Sequence, residues 1–129
     1  MNWKKLIDPK GSNIWVLASV LGWNVLWALL TLFITYTLLS GKEQILTIHQ
    51  TGMMFSFFFG AFAGGWVAGK VAADNRGPTY GVIGSLGSVV PAVSALVPAG
   101  GVFGILVAIV AIAGGLNGGV LSVRPTSHD

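Results

Sequence analysis

Gly64, Gly69 and Lys70 in the stretch "GGWVAGKV" stand at the spacing of a phosphate-binding loop, in which backbone N–H groups cradle a phosphate and the lysine neutralises it. Such a loop also needs Ser or Thr after the lysine to hold magnesium, and Val71 stands there. The preceding "MMFSFFFGAFA" runs into the glycines with helical rather than strand character. The pattern therefore excludes a nucleotide site and leaves the inner end of a helix, marked by Lys70. The four acids, Asp8, Glu43, Asp74 and Asp129, fall in separate segments, so no carboxylate pair is available for general acid–base work. His49 and His128 are isolated, and there is no cysteine. His49 alone offers at most an axial position for a pigment or haem, and three metal ligands cannot be assembled. The expectation is a protein without catalytic residues, metal or cofactor: not an enzyme.

The elements that carry these residues are set by composition. Of 129 residues, 53% are apolar and 9% charged, against about a quarter charged in a soluble domain. Residues 11–41, 44–69 and 77–123 contain no Asp, Glu, Lys or Arg. A span needs about 20 mostly apolar residues, so these stretches have room for one, one and two spans. The chain is expected to be an all-α membrane protein with four transmembrane helices, at 14–39, 51–72, 79–96 and from 102 to 123. Residues 1–13 form an interfacial segment carrying Trp3, Lys4, Lys5 and Lys10, and 124–129 a polar tail. Ser12 or Asn13 can cap the first helix, Pro91 should bend the third, and 97–101 should turn. The first helix is too long, and lacks the cleavage pattern, for a removed signal peptide.

Lys4, Lys5, Lys10, Lys70, Arg76 and Arg124 fall on one side of this plan and Lys42 alone on the other. The positive-inside rule then puts both termini in the cytoplasm. The pI of about 9.6 reflects this placement and not a nucleic-acid patch. "AFAGGWVAGKV" (61–71) and "AIAGGLNGGVL" (111–121) match at an offset of fifty residues, which suggests two helical hairpins in parallel repeat.

All but four of the 19 glycines fall from Gly60 onward. Gly60/Gly64, Gly65/Gly69, Gly77/Gly81, Gly114/Gly118 and Gly115/Gly119 are each four residues apart. Small residues one turn apart let backbones approach where lipid gives no hydrophobic drive, so spans two, three and four should cluster tightly. Phe55, Phe59, Phe62 and Trp66 share the opposite face of span two, as apolar bulk or as a ridge for a partner helix, pigment or lipid. Trp15, Trp23 and Trp27 mark span one as a peripheral helix with surface left for lipid or another protein. Asn24 and Asn117 lie within spans and are expected to bond across helix interfaces.

"GAFAGGWVAGKVAADNRGPTYGVIGSLGS" followed by "GGLNGG" resembles a group of small four-span bacterial membrane proteins of unknown function. The likeness rests on Gly64, Gly65, Gly69 and Lys70, then Gly77 and Gly81, then Gly114, Gly115 and Asn117, over about residues 55–120. It implies architecture and a bacterial inner-membrane location, and carries no activity. A coupled pump needs ionisable groups inside its spans, and the only one here is Lys70, at an inner helix end from which it can snorkel to the interface. Two readings stay open: an accessory subunit of a respiratory, photosynthetic or transport complex, with bilayer and other subunits as partners, or a small homo-oligomeric channel or carrier.

Overall fold

The computed structural model describes residues 12–38, 47–73, 76–100 and 102–123. They form four helices: α1 Ile14–Leu38, α2 Thr47–Ala72, α3 Gly77–Gly100 and α4 Val102–Val123. Each is long and apolar enough to cross a bilayer, and no strand occurs among the described residues. The chain is an all-helical membrane protein of four spans. The interfacial segment up to residue 11, the 40–44 loop with Lys42, Asp74, Gly101 and the 124–129 tail with His128 lie outside the described residues.

Two helices run further than their sequence signals suggest. α2 begins at Thr47, about a turn before residue 51, so His49 is already helical; its side chain lies outside the described part. α3 takes in Gly77 and Pro78, because proline's missing N–H costs nothing in a first turn. It then continues through Pro91 and Pro98 to Gly100, so four residues of the expected 97–101 turn are helical. Membrane helices tolerate such prolines because neighbouring groups re-satisfy the freed carbonyls.

The helix ends have identifiable caps. Asn13, not Ser12, opens α1: its Oδ1 accepts from the N–H of Trp15 at 3.0 Å and more weakly from Val16 at 3.4 Å. The Asn13 N–H in turn donates to the hydroxyl of Tyr80 at 2.6 Å, fixing the start of α1 to α3. α2 closes on Ala73, whose φ of 51° is left-handed and whose N–H donates to the Gly69 carbonyl at 3.1 Å. That bond is the single-bond C-terminal cap normally given to glycine.

α2 and α3 pack antiparallel at the centre, Gly65 beside Gly81 and Gly69 beside Gly77. α1 lies against both on one side and α4 against both on the other; α1 and α4 share no contact among the described residues. Toward the Lys70 end the contacts are made by backbone, with Leu17, Val20, Ala68 and the wholly buried Tyr80 closing one side. Toward the other end side chains fill the interior: Met53 and Phe57 of α2, Leu96 of α3 and Val107 of α4. Glycine placement along the sequence thus decides where backbones touch and where bulk is required.

Candidate functional site

The contacts that distinguish this bundle form a seam where α2, α3 and α4 meet. A Cβ added at Gly65 would meet the Gly115 carbonyl oxygen at 2.6 Å and the Gly81 Cα at 3.1 Å. Gly81 and Gly115 each lie against the other's carbonyl, and Gly119 and Gly77 do the same one turn away. Gly69 and Gly77 both abut Ser122, whose hydroxyl bonds the Gly119 carbonyl at 2.6 Å. The two matching segments, 61–71 and 111–121, therefore present Gly65/Gly69 and Gly115/Gly119 to the same pair of α3 glycines. Dispersion is worth only about 0.1–0.2 kcal/mol per atom pair, but it falls steeply with a small gap, so close backbone approach along a seam decides the packing.

The remaining glycine pairs serve other neighbours. Gly114 and Gly118 rest on the carbonyls of Phe58 and Phe62 of α2. Gly60 and Gly64 do not join spans three and four; they receive the indole rings of Trp27 and Trp23 from α1. Gly84 and Gly87 of α3 likewise face α1, against Val20 and the Leu21 carbonyl.

α1 lies at the periphery of the bundle, and two of its three tryptophans are held on α2. α1 does bury the least of its span, 28% against 44% for each of the others. Yet the Trp23 N–H donates to the Gly60 carbonyl at 2.9 Å, and the Trp27 N–H to the Ser56 carbonyl at 2.8 Å and its hydroxyl at 3.0 Å. An indole N–H in apolar surroundings needs a partner, and glycine and serine on α2 leave a carbonyl within reach. Thr31 extends this row, 2.7 Å from the Ser56 hydroxyl. Trp15 alone of the three is turned wholly outward, 81% exposed.

Asn24 is fully buried between α1 and α3. Its Nδ2 donates to the Val20 carbonyl at 2.9 Å, and its Oδ1 accepts from the Ser88 hydroxyl at 3.0 Å. Asn117 differs from the expectation of a bond across helices: it is exposed, and its amide donates to Ala113 of its own helix at 2.7 Å. On α2, Phe55, Phe59 and Trp66 are exposed, whereas Phe62 is half-buried because its backbone carries α4. The rings are continuous through Phe58, which is 5.5 Å edge-on to Phe59 and 6.1 Å from Phe62. Ser56, Phe58 and Tyr80 carry contacts that sequence reasoning passed over, and Ser88, expected to bond its own helix backbone, bonds Asn24 of α1 instead. Ser56 could have been found, lying one turn before Gly60 on the same α2 face; the others have no local signal.

Comparison with known proteins gives no matching family model, no matching curated protein and no matching solved structure. Fold and site together define a class: a small four-span helical membrane protein whose second, third and fourth helices meet through glycine backbone. Its first helix is keyed on by tryptophan and asparagine.

Proposed function

We propose that this chain is a non-catalytic subunit of a larger complex in the bacterial cytoplasmic membrane, with both termini inside. The observation that carries the reading is the outward side of the α2–α4 seam. Asn117 is the one polar side chain that α4 turns outward, since Ser122 is buried. It adjoins Gly118, which rests on Phe62, so it flanks the same seam as the exposed rings of Phe55, Phe59 and Trp66. A polar group at membrane depth is costly against lipid and is normally met by another protein group. An amide set in an aromatic surface is what a partner helix would use, its hydrogen bond fixing register and the rings supplying contact. The bundle interior supports the same reading: it is filled by backbone at one end and by Met53, Phe57, Leu96 and Val107 at the other.

Purification from the native membrane in mild detergent tests this. The expected result is stoichiometric co-migration with other polypeptides, lost in an Asn117→Leu variant that still folds. A pure homo-oligomer that conducts ions or solute in liposomes overturns the proposal.

A further inference from the structure

Between α1 and α2, at the end of the bundle that bears Lys70, lies a groove of about 440 Å³. Its origin is a change in side-chain size along the interface. Further from that end, Trp23 and Trp27 fill the space between the two helices, each pinned to α2 by its indole N–H. Toward the Lys70 end, Ser19 of α1 and Gly64 of α2 are too small to fill it, and Trp15 is turned out to form one lip. Val67 and Val71 complete the α2 wall.

The groove is apolar along its length, because the polar atoms on its walls are already satisfied. The Ser19 hydroxyl donates to the Trp15 carbonyl at 2.8 Å, and the Trp23 indole is held by Gly60. Polar capacity is confined to its end. There the Trp15 indole N–H has no hydrogen-bond partner among the described residues, and exposed Lys70 stands two turns beyond the lining residue Ala63 on the same α2 face, at the edge of the groove.

We infer that this groove holds an acyl chain of an anionic phospholipid, with the lipid phosphate met by the Trp15 indole N–H and the Lys70 ammonium. Length selects lipid over a partner helix. From Trp15 to Trp23 is eight residues, about 12 Å at about 1.5 Å per residue. Half of a hydrocarbon core of about 30 Å is about 15 Å, the depth reached by a chain of one leaflet. A transmembrane partner helix would need a furrow crossing the whole core, and Trp23 and Trp27 block this one midway. Charge selects the headgroup: a cation and an indole N–H donor at the interface favour an anionic phosphate.

The test uses the full chain reconstituted in phosphatidylcholine vesicles, with tryptophan quenching by brominated phosphatidylglycerol compared with brominated phosphatidylcholine. The expected result is about fivefold preferential quenching by the anionic lipid, the effect of roughly one interfacial lysine. Lys70→Gln should abolish that preference and Lys70→Arg should keep it. Ser19→Phe, at an exposed position bonded only to its own helix, should fill the groove and abolish the preference without altering helix content. Equal quenching by the two lipids in the unmodified protein, or a preference that survives Ser19→Phe, overturns the inference. A photo-crosslinker at position 19 in native membrane should yield a lipid adduct; a polypeptide adduct there overturns it in favour of a partner helix.

Discussion

Gly115 lies so close to the Gly81 carbonyl that a methyl group there has no room, and the obstructing atom is backbone and cannot rotate away. Gly22 and Gly52 have nothing within 4 Å of an added Cβ. The same substitution should therefore have opposite signs at these positions. Gly115→Ala or Gly81→Ala is expected to destabilise the bundle by about 1–3 kcal/mol, the usual cost of overpacking. Gly22→Ala should be neutral or stabilising by up to about 1 kcal/mol, since alanine is the better helix former. Unfolding in mixed micelles reads both. Equal effects at Gly115 and Gly22 would mean that glycine here is tolerated composition and not a packing requirement.

At the level of the element, the end of α2 is the instructive case. Ala73 takes the left-handed position that ends the helix, at a φ of 51°. A residue with a Cβ holds that conformation at a cost of roughly 1–2 kcal/mol, which glycine does not incur. Ala73→Gly is accordingly expected to raise the thermal midpoint, with the gain reduced by glycine's greater freedom in the unfolded chain. A lowered midpoint would show that the Gly69–Ala73 cap is not formed in the membrane. α3 makes the complementary point. Its two internal prolines do not end it, because in a bundle within lipid an uninterrupted helix is the lowest-cost way to satisfy backbone polar groups.

For the whole molecule, four spans and the six-to-one distribution of Lys and Arg predict that both chain ends lie in the cytoplasm. Reporter fusions at residues 2 and 127 should both read as cytoplasmic, and a fusion at residue 42 as external. A split result at the two termini would remove one of the spans. The wholly outward faces of α1 and of the α2–α4 seam give the molecule two distinct surfaces. One ends in a lipid-length groove and the other carries an amide among aromatic rings.

Span number, helical class and the run of small residues were legible from the sequence, because each rests on a local quantity: apolar length, charge exclusion or four-residue glycine spacing. The rejection of a phosphate loop at Gly64–Lys70 was equally local, since Val71 removes the magnesium ligand. Which helix each glycine pair receives was not legible. Spacing alone cannot tell Gly60 and Gly64, which admit tryptophan rings, from Gly65 and Gly69, which admit backbone. The two pairs differ by five residues, about 140° of helix rotation, and only the positions of neighbouring helices give that rotation a meaning. Asn24 and Asn117 are alike in sequence context, yet one is buried against Ser88 while the other faces outward. The sequence determined that the chain spans the membrane four times and packs through glycine. Tertiary structure decided which faces are spent inside the bundle and which remain on its outside, because that choice depends on contacts between residues far apart in the chain.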